Sequence, residues 1–86
     1  MAAETARAAV VFVQQLKDQT WIANAAYAGR TITDGGPDEP VMLRRLSARL
    51  SALPEAGEPQ IVKLSRIVQG GQREDTEIEF AKLTGD

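Results

Sequence analysis

The side chains that could do chemistry in this sequence are carboxylates and arginines, because its 86 residues include no histidine and no cysteine. Histidine is the usual general base near neutral pH, and cysteine supplies thiolate nucleophiles and zinc ligands. Their absence removes Ser–His–Asp catalysis, thiol catalysis and disulfides. Only carboxylates remain to hold a metal ion, and these favour hard cations such as calcium.

Two groups of carboxylates are close enough in sequence to be considered as sites. Asp34, Asp38 and Glu39 crowd one glycine-rich loop, but their spacing does not match the alternating ligands of an EF-hand. A turn before a helix uses the same residue types. Glu77 and Glu79 lie on one side of a predicted strand, but so short a chain offers little cleft to raise the pKa of either. We therefore predict no enzyme activity, no cofactor and no bound metal.

The basic side chains are concentrated in the middle of the chain. Residues 41–73 hold six basic and two acidic side chains, whereas residues 74–86 hold one basic and five acidic ones. One interpretation is that the two segments pair with each other or form ordinary solvated surface. The other is that the middle segment binds an anionic partner such as a nucleic acid. The residues that would then make contact are Arg44, Arg45, Arg49, Lys63, Arg66 and Arg73.

Residues 4–28 are predicted to form a long helix. Phe12, Leu16 and Tyr27 recur at helical spacing on one face, and the segment is rich in alanine with no internal glycine or proline. A break near Gln19, which would divide the segment into two helices, stays open.

Residues 29–40 are predicted to be a loop, because they include the run Asp-Gly-Gly-Pro-Asp-Glu-Pro. A short strand at residues 31–33 is an alternative for its beginning. A second helix is expected over residues 41–53, where leucines recur every three or four residues and Pro54 follows at once. These leucines are Leu43, Leu46, Leu50 and Leu53.

The last third of the chain predicts a β-hairpin. Residues 54–59 form a linker, residues 60–69 are rich in β-branched side chains, and residues 75–83 alternate between apolar and polar types. Gly70 and the glycine after it supply the turn. The predicted fold is a single small α+β domain with two layers, two helices packed on a C-terminal antiparallel hairpin. Its expected core includes Phe12, Val13, Leu16, Leu43, Leu46, Leu50, Ile78 and Phe80.

The first predicted helix is apolar on more than one side, which indicates a surface that something else must cover. The chain's one tryptophan would lie there, and tryptophan is enriched among binding hot spots. The residues expected to contact a partner are Val10, Val11, Lys17, Trp21 and Ile22.

The leading hypothesis for function is a non-catalytic protein-interaction module, acting as a homo-oligomer or as a small accessory subunit of a larger protein. An inhibitor or a viral or phage assembly component would fit, and the composition is compatible with a bacterial or phage protein. The outer edge of the hairpin offers a second route, by adding a strand to a partner's sheet. The alternative is a regulatory nucleic-acid-binding module, because a helix followed by a basic hairpin resembles the second half of a winged helix-turn-helix. The sequence pI of about 5.1 argues against that alternative.

Composition favours a cytoplasmic protein. A secreted domain of this size would usually carry disulfides. The longest apolar run, residues 8–13, is far shorter than the roughly 20 residues that span a bilayer. No basic region precedes that run, as one would in a signal peptide.

Overall fold

The computed structural model describes residues 7–53 and 57–83, which form one five-stranded sheet and one α-helix. The strand order is β3-β2-β1-β4-β5; β1 and β4 are parallel, and all other neighbours are antiparallel. A short 3₁₀ turn follows the last strand. The elements are β1 (Ala8–Gln15), β2 (Trp21–Tyr27), β3 (Arg30–Gly36), α1 (Glu39–Ser51), β4 (Ile61–Ile67), β5 (Arg73–Glu79) and the 3₁₀ turn (Phe80–Lys82).

The predicted fold of two helices on a hairpin was wrong. Where a helix was expected over residues 4–28, the described residues form β1 and β2, an antiparallel pair. β1 is the central strand and carries apolar side chains on both faces, so its apolar run shows no alternation that would distinguish a strand from a helix. The β-branched and aromatic residues from Val10 to Val13 favour the strand. From residue 7 onward no helix precedes α1, so the comparison with a winged helix-turn-helix also fails.

Two further boundaries differ from the prediction. The expected loop over residues 29–40 contains all of β3 and the start of α1. β3 pairs with β2 through a two-residue turn in which Ala28 and Gly29 both have positive φ, 54° and 77°. That combination matches a type I′ turn, which suits the twist of a hairpin. At the other end, residues 80–82 are a 3₁₀ turn and not the end of a strand. Residues 54–56 of the predicted linker lie outside the described residues.

Helix α1 begins where local chemistry favours a start and ends shortly before Pro54. The Asp38 side chain accepts a hydrogen bond from the backbone N–H of Val41 at 3.2 Å, and Pro40 lies in the first turn. Met42, Leu46 and Leu50 form its buried stripe. The helix links β3 to β4, a connection long enough to bring β4 parallel to β1.

The core lies between α1 and one face of the sheet, which we call the covered face. α1 packs mainly on β3 and β2, and alanines at positions 9, 23 and 25 leave room there for the larger helix side chains. Leu64 and Ile78 are partly buried beside them. Of the expected core, Phe12 and Leu16 are in fact exposed, by 45% and 36%.

Candidate interaction surface

The opposite face of the sheet, which we call the open face, carries no helix in the described part of the chain. Its side chains come from alternate positions of each strand, because successive residues point to opposite faces. The strand registers place them in rows across the sheet. From edge to edge they are Thr31, Thr33 and Gly35 on β3; Ile22, Asn24 and Ala26 on β2; Ala8, Val10, Phe12 and Gln14 on β1; Ile61, Lys63, Ser65 and Ile67 on β4; and Arg73, Asp75, Glu77 and Glu79 on β5.

Four apolar side chains lie near the middle of the open face. Phe12 is 45% exposed and lies between Asn24 of β2 and Ser65 of β4 in the strand register. Val10, Ile22 and Ile67 are half-buried around it. We call Val10, Phe12, Ile22 and Ile67 the apolar centre. Asn24, Ser65 and the exposed Gln14 lie between these side chains in the register. A sheet face in water is usually polar, so a group of accessible apolar side chains around an exposed aromatic ring indicates an interaction surface.

The open face is charged along β5. The Arg73 guanidinium lies 5.6 Å from the centre of the Phe12 ring, within range of a cation–π contact. Its Nε is 2.8 Å from Oδ1 of Asp75, which also accepts a hydrogen bond from the Ser65 hydroxyl at 2.7 Å. The hydrogen bond from Ser65, followed by that from Arg73, lowers the pKa of Asp75. Arg73 is thus positioned over Phe12 and leaves much of the ring accessible.

Along β3 the open face is neutral. Thr33 donates a hydrogen bond from its hydroxyl to Oδ1 of Asn24 at 2.9 Å, and Thr31 lies beside Ala26 in the register. Gly35 completes this row. A Cβ at Gly35 would lie 2.9 Å from the carbonyl oxygen of Trp21, so the close pairing of β2 and β3 requires glycine there. The two sides of the apolar centre therefore differ in charge, neutral on one side and ionic on the other.

The structure brings together only some of the residues predicted to contact a partner. Val10 and Ile22 lie on the open face. Val11 is fully buried beneath α1 and is therefore out of reach of a partner. Trp21 lies on the covered face, and Lys17 is exposed in the turn between β1 and β2.

Sequence reasoning missed Phe12 and Ile67 as surface residues. Phe12 was assigned to the core because it lies four residues from Leu16, a spacing that is meaningful only in a helix. Residues 10–13 are all apolar, so no alternation within this run could have assigned Phe12 to the surface.

The tryptophan has a structural partner. The Arg66 guanidinium lies 5.2 Å from the centre of the Trp21 ring and forms a two-point ion pair with Glu39, with distances of 2.8 and 3.0 Å. The hydrogen bond to Glu39 raises the pKa of Arg66. This cluster joins the start of α1 to β2 and β4.

The free edge of β3 is occupied by arginine side chains from α1. Arg45 donates two hydrogen bonds to the Asp34 carboxylate, at 3.2 and 2.9 Å, and a third to the carbonyl of Gly35 at 2.8 Å. Arg49 donates to the carbonyl of Thr33 at 3.0 Å. The hydrogen bond from Arg45 is the main reason that the pKa of Asp34 is lowered. We call Asp34, Arg45 and Arg49 the edge clamp.

These carbonyls would otherwise be available to another strand. In a two-residue hairpin the pair beside the turn exchanges both hydrogen bonds, and every second pair repeats this. Tyr27 and Arg30 are that pair, so the backbone groups of Thr33 and Gly35 point away from β2. Natural sheets protect exposed edges in similar ways against unwanted pairing.

The six basic residues predicted to bind nucleic acid do not form one patch. Three lie on α1, Arg66 lies on the covered face, and Lys63 and Arg73 lie on the open face. Four of them form ion pairs with carboxylates, and three of these pairs use Asp34 or Glu39, not the acidic C-terminal segment. The ion-paired residues are Arg45, Arg49, Arg66 and Arg73.

The candidate metal-binding carboxylates have structural roles. Asp34 binds the edge clamp arginines, Asp38 caps α1, and Glu39 binds Arg66. Among residues 7–53 and 57–83, no three acidic side chains converge in a way that could hold a metal ion. A shallow, open depression lies at the end of the sheet near Phe80, and its charged lining is Arg7, Glu58 and Glu79.

Comparison with protein-family models, with curated proteins and with solved structures gave no match. Within the described residues, α1 has 13 residues, and no helix is long and apolar enough to cross a membrane.

Proposed function

We propose that this chain is a non-catalytic protein-interaction module that binds its partner through the open face of the sheet. The observation that carries the proposal is the exposure of Phe12 at the middle of an apolar centre, on a face that no described helix covers. A partner that covers this ring removes apolar area from water, and each Å² removed contributes roughly 25 cal/mol to the free energy of binding. Aromatic side chains in such central positions are frequent binding hot spots.

The charge of the open face favours a protein over a nucleic acid. Two cations, Lys63 and Arg73, share the face with Asp75, Glu77 and Glu79. A polyanion would meet more negative than positive charge there, whereas a protein can bury the apolar centre and leave the charged rim in water. An accessory or oligomeric role in the cytoplasm belongs to this proposal.

The proposal is tested with two substitutions of the same kind on opposite sides of the molecule. Phe12→Asp places a charge in the apolar centre, and Val41→Asp is the matched control, because Val41 is 38% exposed on α1. We expect Phe12→Asp to lose the protein partner that wild type retains in quantitative affinity capture and cross-linking, and Val41→Asp to keep it. Phe12→Thr, which preserves strand propensity, guards against misfolding. Equal retention by all variants, with circular dichroism showing folded proteins, would contradict the proposal.

A further inference from the structure

We infer that the partner of the open face is a second copy of this chain, packed face to face about a two-fold axis parallel to β1. This inference rests on the proposed function and names its partner. Three observations carry it: both edges of the sheet disfavour self-pairing, the open face is self-complementary in one orientation, and its area suits a weak dimer.

The two edges of the sheet oppose association of two copies by strand addition. At β3 the outward carbonyls of Thr33 and Gly35 already accept hydrogen bonds from Arg49 and Arg45. At β5 the exposed strand Arg73–Glu79 carries four carboxylates on seven residues. Pairing two such strands would bring like charges together across the ladder, which is destabilising. Self-association is therefore directed to the open face.

A two-fold axis parallel to β1 matches the open face with itself. This rotation places β4 of one copy over β2 of the other while each residue keeps its height along the strand. Phe12 then meets Phe12, and Ile22 meets Ile67, because both isoleucines lie in the row of Gln14. Asn24 meets Ser65, since both lie in the row of Phe12. In these pairs apolar side chains cover apolar ones and polar side chains face polar ones, while Lys63 meets Ala26.

The same rotation separates the carboxylates. β5 of one copy lies over β3 of the other, so Glu77 faces Thr31 and Asp75 faces Thr33. The alternative two-fold axis, in the plane of the interface but perpendicular to the strands, would place β5 over β5. With the axis through the row of Phe12, it would place Asp75 over Asp75 of the other copy, Arg73 over Glu77, and Ile67 over Lys63. Only the axis parallel to β1 pairs Ile22 with Ile67 and keeps Asp75 away from its own copy, and this apolar match selects that axis.

The size of the face predicts a weak dimer. With strands about 4.8 Å apart and residues about 3.3 Å apart along each strand, five strands of seven residues cover roughly 550 Å² per copy. The pair would bury roughly 1,100 Å², near the lower limit for a specific interface. We expect a dissociation constant on the order of micromolar.

Sedimentation equilibrium tests whether the dimer forms and whether Phe12 lies within it. Over protein concentrations from about 1 µM to about 1 mM, wild type and Val41→Asp should dimerise with the same constant. Phe12→Asp should weaken dimerisation by about 30-fold or more, the loss typical of a hot-spot aromatic. A dimer that Phe12→Asp leaves intact overturns the inference.

The natural absence of cysteine allows a clean test of orientation. Thr31→Cys and Glu77→Cys are both at exposed positions of the open face. When the two variants are mixed, we expect a mixed disulfide dimer, with little cross-linking of either variant alone. Asp75→Cys, at a position that the perpendicular axis would place over itself, is the counter-test: its efficient cross-linking with itself would support that axis and overturn the proposed packing.

The failure of this inference can be told from failure of the proposed function. If wild type stays monomeric throughout, while Phe12→Asp still loses a different captured protein that Val41→Asp retains, then the partner is not a second copy and the open face remains the binding surface. If wild type is monomeric and neither substitution changes any capture, both proposals are wrong.

Discussion

Val10 and Val11 are neighbours on β1, yet they belong to two different surfaces. Val11 is fully buried between the sheet and α1, whereas Val10 is only half-buried on the open face. The covered face is a closely packed core of small and branched side chains beneath one helix. The open face carries larger exposed side chains, including Phe12, and has no helix over it in the described residues. Apolar residues on the covered face stabilise the fold, and those on the open face remain available for a partner.

The largest expected effect comes from removing a helix side chain that covers the sheet. Leu46 is fully buried, so Leu46→Ala should lower the free energy of unfolding by about 2–5 kcal/mol. Val41→Ala, at an exposed position on the same helix, should change it by less than about 0.5 kcal/mol. Urea denaturation measures both. Similar losses from the two variants would mean that α1 does not bury the leucine.

The two neighbouring valines provide the most direct comparison of the faces. We expect Val11→Ala to cost about 1–3 kcal/mol, because it leaves a cavity in the core. Val10→Ala removes the same atoms from a partly solvated site and should cost well under about 1 kcal/mol in the monomer. Denaturation at low protein concentration keeps any dimer from contributing. A larger loss at Val10 than at Val11 would contradict the assignment of the two faces.

Acid should weaken the edge clamp more than the ion pair on the open face. Hydrogen bonds lower the pKa of both Asp34 and Asp75 below the ordinary value of 3.8. Each carboxylate therefore contributes stability above pH 3.8 that is lost as the pH falls through the lowered pKa of the folded state. The Asp34 side chain is 12% exposed and that of Asp75 is 62% exposed, so solvent screens Asp75 more strongly.

We therefore expect Asp34→Asn to flatten the dependence of unfolding free energy on pH below about 4 more than Asp75→Asn does. Thermal melts between about pH 2 and pH 7 measure this slope for wild type and both variants. Equal slopes in wild type and Asp34→Asn would show that the clamp adds no pH-dependent stability.

The smallest effect is expected at the turn that sets which residues of β3 face each side. Ala28 has a φ of 54°, a conformation that asparagine and glycine adopt more readily than alanine. Ala28→Asn creates the preferred Asn–Gly pair with Gly29 and should raise the free energy of unfolding by about 0.5–1 kcal/mol. A loss of stability would contradict the type I′ turn. Val41→Asn, at an exposed position away from the turn, is the control and should not stabilise the protein.

Local chemistry in the sequence was enough to predict several features. The order Asp38, Glu39, Pro40 favours a helix start, and the leucines that follow place a buried stripe on that helix. The glycines at 70 and 71 favour a turn between two strands, and Gly70 does adopt a positive φ of 77°. These patterns depend on residues within a few positions of one another, so they can be read without the rest of the fold.

Other features depended on contacts between distant segments. The run from Ala8 to Gln15 is apolar on both sides because it becomes the central strand, with β2 and β4 on either side. Its periodicity alone does not distinguish a buried strand from a helix. The candidate site also depended on contacts between distant segments. Val10 and Phe12 belong to a surface, and Val11 to a core, only because α1 lies on one face of the sheet.

The sequence by itself determined that histidine and cysteine chemistry is absent, that a helix begins close to Asp38 and that the last hairpin turns at Gly70. Only the tertiary structure decided that the first apolar segment forms two strands, that Arg45 and Arg49 close an edge, and that Phe12 is exposed. The physical reason is that a strand acquires its hydrogen bonds and its buried face from partners far away in sequence. Ala9 and Val62, paired in register and 53 positions apart, share one core only after α1 has carried the chain back across the sheet.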